Sequence, residues 1–142
     1  MKVFWDTNLF IYLWEGSPHS ARVEKLARSM DACDGQICTS SLTIAEILAH
    51  PMRAGGRREA ADYLNRFAGL EIVGFGTKEA VVFAEIRARY AAVSPPDAIQ
   101  LACASTSGSS IFVTNDARLG ELAIPGLEET LSLERALQEL GT

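Results

Sequence analysis

The sequence predicts an α/β fold: a central parallel sheet of four or five strands with helices on both faces. Three observations predict it. Short apolar runs rich in strand formers alternate with segments of helical periodicity, the pattern of crossover connections between parallel strands. Two of those runs, Val3-Phe4-Trp5 and Ile111-Phe112-Val113-Thr114, stop abruptly at an acid, Asp6 in the first case and Asp116 after Asn115 in the second. The 142 residues, 48% of them hydrophobic, suffice to bury one core and leave no room for another, so residues 1–142 are read as a single domain.

The first strand, Lys2 to Trp5, breaks at Asp6, and Leu9 to Trp14 reads as the first turns of a helix, with Thr7 and Asn8 suited to its N-terminus. Glu15-Gly16 interrupts that helix. Ser17-Pro18 restarts one, Ser as N-cap and Pro at the first helical position, running to about Met30 with Val23, Leu26, Ala27 and Met30 on one face. Asp34-Gly35 is a turn before a second strand, Gln36 to Thr39. Ser40 or Ser41 caps a third helix whose apolar set, Leu42, Ile44, Ala45, Ile47 and Leu48, surrounds one acid, Glu46. Pro51 to Gly56 is expected as a loop, and Arg57 to Phe67 as a helix that turns Ala60, Ala61, Leu64 and Phe67 inward.

Leu70 to Val73 is the third strand, and Thr77 caps a long helix reaching about Tyr90. Ser94-Pro95-Pro96-Asp97 opens a further helix carrying Ala98, Ile99, Leu101, Ala102 and Ala104. Ser110 to Thr114, apolar enough for burial on both faces, is the fourth strand. A short helix from Ala117 to Leu122, an edge strand around Glu129 to Leu131 and a last helix from Leu133 to Leu140 complete the chain.

Composition excludes several classes. No apolar run approaches the roughly 20 residues that cross a bilayer, and Phe4 to Trp14 is cut by Asp6 and Asn8, so a cytoplasmic protein is expected. Cys33, Cys38 and Cys103 are odd in number with no paired spacing, which predicts buried free thiols rather than disulfides or zinc. His19 and His50 have no neighbours that would give them a role. The net charge of −5, with only three Lys at positions 2, 25 and 78, argues against a broad basic surface for nucleic acid. Arg53, Arg57 and Arg58 around Gly55-Gly56 form the best basic cluster, and Arg118 follows Asp116 closely; these are the candidate phosphate contacts. Trp5, Phe10, Tyr12 and Trp14 are placed in packing rather than base stacking.

Four acids lie where a parallel sheet brings them to one edge: Asp6 after the first strand, Glu46 near the start of the third helix, Asp97 in the first turn of a later helix, and Asp116 after the fourth strand. Four converging carboxylates repel and raise one another's pKa, so the set requires a cation. Oxygen ligands without His or Cys select magnesium or manganese over zinc.

The stretches Val3-Phe4-Trp5-Asp6-Thr7-Asn8, Ser41-Leu42-Thr43-Ile44-Ala45-Glu46-Ile47, Asp97-Ala98-Ile99-Gln100-Leu101-Ala102 and Val113-Thr114-Asn115-Asp116 occur in an order and spacing that resemble the PIN-domain nucleases, particularly the VapC-type toxins of bacterial toxin–antitoxin pairs. The resemblance covers essentially the whole chain. It implies a three-layer α/β/α sandwich and magnesium- or manganese-dependent endonucleolytic cleavage of RNA, with Asp6, Glu46, Asp97 and Asp116 as the acidic residues. Asp6 and Asp97 are the foremost direct ligands, and Asn8, Thr114 and Asn115 support the acids. It further implies a homodimer and a protein antitoxin whose C-terminal segment fills the acidic groove.

Other functions fit less well. A haloacid-dehalogenase-type phosphatase needs a second acid where this chain has Asn8, and a response-regulator receiver needs adjacent early acids and a late Lys. The remaining rivals are a PIN-fold nuclease of RNA maturation or decay, and a non-catalytic PIN-like module that binds RNA or protein.

Overall fold

The computed structural model of the chain describes residues 1–120 and 122–141. Among them, five strands, β1 (Lys2–Trp5), β2 (Gln36–Ser40), β3 (Glu71–Val73), β4 (Ile111–Thr114) and β5 (Glu129–Ser132), form one sheet in the order β3-β2-β1-β4-β5. Every pairing is parallel, with Phe4 opposite both Cys38 and Phe112. Seven helices cover it: α1 (Thr7–Glu15), α2 (Ser20–Ala32), α3 (Ser41–Arg53), α4 (Arg57–Arg66), α5 (Thr77–Arg89), α6 (Pro95–Thr106) and α7 (Leu133–Leu140).

Strand alternation sends successive side chains to opposite faces, so the sheet has two cores. Val3, Trp5, Ile111 and Val113 pack with Leu9 and Phe10 of α1, Val23 and Leu26 of α2 and Leu133 of α7. Phe4 and Phe112, stacked with centroids 5.6 Å apart, pack on the other face with Ile86 of α5 and with Ala98 and Leu101 of α6. This is the expected α/β/α sandwich. Trp5, Phe10 and Trp14 are core or near-core residues; Trp14 meets Phe67 edge-on at 4.9 Å.

Several local expectations need correction. The segment expected as a helix from Ala117 to Leu122 is a turn across residues 117–120, and its Glu121 lies outside the described residues. Asp116 explains the turn: its carboxylate accepts from Arg118 N–H at 3.0 Å and its carbonyl from Leu119 N–H at 3.0 Å, an Asx-type turn that competes with a helical start. Pro51 does not open a loop but sits, buried, inside the last turns of α3. The helix ends instead at Gly55 (φ +75), where Gly56 N–H reaches Pro51 O at 2.8 Å and Gly55 N–H reaches Met52 O at 3.1 Å, a Schellman closure.

In α4, Ala60 and Phe67 are buried as expected, but Ala61 and Leu64 face outward, and Tyr63 takes the inward place beside Trp14. The second helix starts at Ser20, with Ser17 to His19 in a preceding turn where the Ser17 hydroxyl accepts from His19 N–H at 3.0 Å. Helix α5 is capped from within, Glu79 accepting from Gly76 N–H at 3.0 Å, rather than by Thr77. Cys38 and Cys103 are buried, whereas Cys33 is exposed. No helix among the described residues is long and apolar enough to cross a membrane.

Candidate functional site

Strands β1 and β4 are neighbours at the centre of the sheet, and the chain leaves them toward the same edge. Connections from β1 and β4 run to opposite sides of the sheet, which opens a crevice at their carboxyl ends. The acids gather there. Asp6, Glu46, Asp97 and Asp116 line one cavity of about 220 Å³, together with Thr7, Asn8, Ile11, Pro96 and Gln100.

Asp6 continues the β1 ladder, donating its N–H to Val113 O at 3.0 Å, and then caps α1 by accepting from Thr7 N–H at 2.8 Å. Its second carboxylate oxygen accepts from the Thr114 hydroxyl at 2.7 Å. Asp6 is only 7% exposed. Burial pushes its carboxyl up to about 6, against the opposing pull of the Thr114 and Thr7 hydrogen bonds and with further upward pressure from the Asp97 charge. The hydrogen bonds to Asp6 thus fail to offset the loss of water, and the site holds a carboxylate short of positive charge.

Asp97 stands in the first turn of α6, behind Pro95 and Pro96, whose fixed φ suits that position. Ser94 caps the helix and clamps the acid: its hydroxyl donates to Asp97 Oδ2 at 2.9 Å while accepting from Asp97 N–H at 3.4 Å. Glu46 is exposed in the second turn of α3, which follows β2 directly, and accepts from the Thr7 hydroxyl at 2.8 Å.

Asp116 is held by a two-point contact from Arg118, with Nε at 3.0 Å and Nη2 at 2.7 Å. The guanidinium holds its carboxyl below the usual range. Among the described residues, no three of the acids stand close enough together to grip an ion.

The supporting residues work at one remove. Thr114 accepts from Asn8 Nδ2 at 3.3 Å and from Asp116 N–H at 3.0 Å while it bonds Asp6, so one hydroxyl links both acids of the β1 and β4 ends. Asn8 Oδ1 also accepts from Asn115 N–H at 3.3 Å. Asn115 itself turns away from the acids to donate to the Tyr12 hydroxyl at 3.1 Å. Arg53, Arg57 and Arg58 are exposed at the α3–α4 corner and are not part of the cavity wall, whereas Arg118 touches a site acid directly.

Sequence reasoning missed Gln100. It is 2% exposed on the buried side of α6, and its Nε2 donates toward Asp6 Oδ1 (3.3 Å), Thr7 Oγ1 (3.0 Å) and Thr43 Oγ1 (2.7 Å), while its Oε1 accepts from Ser40. Thr43 stands 2.8 Å from Thr39, which donates to Trp5 O at 2.9 Å. This floor of polar groups joins β1, β2, α1, α3 and α6 beneath the acids. A Gln in the middle of an apolar helix was the available signal, since a buried amide requires partners.

The architecture is shared with solved structures. VapBC2 from Rickettsia felis, bound to a DNA fragment from its promoter, matches with a TM-score of 0.74 at 20% identity over 93% of this chain and 98% of that one. DNA-bound VapBC from Salmonella typhimurium matches at 0.71 and 25% identity over 94% and 98% of the two chains. FitAcB from Neisseria gonorrhoeae matches at 0.63 and 19% identity over 80% and 87%. A search of curated proteins returns no significant match. The PIN domain family model matches residues 3–125, a span that holds all four acids. On the strength of that match, the chain belongs to the PIN domain family of nucleases.

Proposed function

We propose that this protein is a metal-dependent endoribonuclease of the VapC type, acting as the toxin of a toxin–antitoxin pair. The observation that carries the reading is the single cavity lined by four carboxylates from four separate chain segments, with no His or Cys in its wall. The donor set fits a hard divalent cation, magnesium or manganese, and the buried Asp6 carboxylate, short of positive charge, fits it too. Asp6 and Asp97 would hold the ion, with Glu46 and Asp116 completing the set directly or through water. When bound, such an ion supplies an activated water and charge stabilisation for in-line phosphodiester hydrolysis.

The chain's own residues do the rest. Thr114, Thr7 and Gln100 fix both oxygens of Asp6, and Ser94 fixes Asp97, so these two acids would be held in place for the ion while Asp116 would have to leave Arg118 to join them. Asn8 and Asn115 brace the end of β4. Arg118 is a candidate contact for backbone phosphate, and Arg53, Arg57 and Arg58 mark a second, more distant basic site.

The solved relatives are toxin–antitoxin complexes. Their likeness supports a protein antitoxin as partner, and with it a cytoplasmic homodimer whose partner segment enters the acidic groove. Strand β5 and helix α7 lie beyond residue 125 yet join the same sheet and core, which supports one PIN-like domain over residues 1–142. A second reading, a non-catalytic PIN-like binding module, draws support from the Asp116–Arg118 pair, which already satisfies one of the four acids.

Incubation of a mixed RNA pool with the purified protein in magnesium, manganese or chelator separates the two. Cleavage that requires the ion and is lost in folded Asp6→Asn and Asp97→Asn variants is the expected result. RNA binding without cleavage under either ion favours the module.

A further inference from the structure

A second cavity adjoins the acids. It measures about 320 Å³, and its walls are mainly apolar: Tyr90, Ala92 and Val93 from the segment after α5, Leu119 and Leu122 from the turn after β4. Asp97 lines both cavities, and Arg118, on the wall of the second, is bonded to Asp116 on the wall of the first.

The walls are held in place. The Tyr90 hydroxyl donates to Ala123 O at 3.1 Å and accepts from Ala123 N–H at 3.2 Å, which ties the two segments to each other. Arg87 donates to Ala91 O at 3.3 Å and to Val93 O, which fixes the strand of chain that leads into Ser94 and Asp97.

We infer that this cavity seats one nucleobase flanking the scissile phosphodiester, so that it sets the sequence preference of cleavage. The inference rests on the nuclease reading above. In a single-stranded RNA each phosphate has a base one sugar away, and a cavity that shares a wall residue with the phosphate site lies within that reach. Its size is at the small end of ligand pockets and its lining is the apolar kind that accepts a ring face. Unstacked bases of single strands are bound by stacking on aromatic rings and arginine planes, and the wall holds one of each, Tyr90 and Arg118.

The charges agree. Arg118, paired with Asp116, and Asp97 both line the cavity, and Arg89 stands 5.6 Å over the Tyr90 ring, so the acid in the wall is flanked by two positive groups. Since the Ala91 and Val93 carbonyls are engaged by Arg87, recognition rests on stacking and ring size more than on hydrogen bonds to base edges.

The test is to sequence the cut ends of a randomised RNA pool treated with the wild type, with Ala92→Trp, which fills the cavity from an exposed position, and with Leu122→Ala, which enlarges it. Circular dichroism melts confirm that each variant is folded. The wild type is expected to prefer certain bases at one position beside the cut. Ala92→Trp should flatten that preference and raise KM for the preferred context by about tenfold, with the effect on KM rather than kcat. Leu122→Ala should shift the preference toward the larger rings.

Unchanged preference and KM in both folded variants would overturn the inference while leaving the nuclease intact. Variants that lose affinity for a cognate antitoxin but keep the wild-type preference would assign the cavity to the protein partner and overturn it equally. A wild type that cuts nothing with magnesium or manganese would remove the nuclease reading and this inference with it.

Discussion

Asp6 concentrates the energetics of the site in one side chain. Because its carboxyl is raised from 3.8 to about 6 in the folded protein, folding favours the protonated form. Its contribution to stability is therefore fully present below about pH 4 and is lost as the pH rises through about 6, an effect of order 3 kcal/mol for a group so deeply buried. Urea unfolding of chelator-treated protein across this window should show that decline, and Asp6→Asn should flatten it. The same shift makes protons compete with a bound ion, so cleavage should fall steeply below about pH 6.

Gln100 is the other decisive residue. Gln100→Leu takes the acceptor from the buried Ser40 hydroxyl and one donor each from Thr43 and Asp6, which keep their bonds to Thr39 and to Thr7 N–H, and should cost about 2 kcal/mol in urea unfolding. The loss of orientation at Asp6 should also weaken ion binding by about tenfold or more, measured by calorimetric titration. The four acids were legible in the sequence because each stands at a chain corner that a parallel sheet brings to one edge. Gln100 was not, because its partners lie at positions 6, 7, 40 and 43 and only the folded packing of α6 over β1 and β2 brings them together.

Among the elements, α6 does most to aim the chemistry. Ser94 caps it, Pro95 and Pro96 preset its first turn, and Asp97 is fixed by the same serine hydroxyl. Ser94→Ala should lower stability by about 1 kcal/mol and reduce cleavage further than that loss explains, because Asp97 is released; thermal melts and single-turnover rates compare the two. Strands were readable from their apolar runs and their abrupt ends, and helices from their periodicity. The failures share a physical origin in hydrogen bonds that periodicity does not register. Asp116 folds its own turn in place of a helix, and Pro51 is carried inside α3 because the closing bonds fall one turn later at Gly55 and Gly56. In α4 both Leu64 and Tyr63 satisfy an amphipathic pattern, and Tyr63 is the one that turns inward, where its ring meets Trp14.

Under the proposed function, the net charge of −5 leaves RNA to be held by local contacts rather than by a broad basic face. The salt dependence of RNA affinity should accordingly be shallow, each phosphate contact contributing about −0.7 to the log–log slope. Arg118→Glu should reduce that slope by about one contact if Arg118 leaves Asp116 for a phosphate, whereas the same change at Arg58, outside the cavity, should move it less.

Thermal melting at pH 7.5 in manganese and in chelator, for the wild type and Asp6→Asn, asks whether the converging acids hold a cation. The wild type should gain roughly 5 °C or more at an ion concentration about a hundredfold above its Kd. Asp6→Asn should melt above the wild type in chelator, since it removes a buried uncompensated charge, and should gain little from manganese. A wild type indifferent to the ion, with Asp6→Asn no more stable than it in chelator, would mean that the acids are not a cation site.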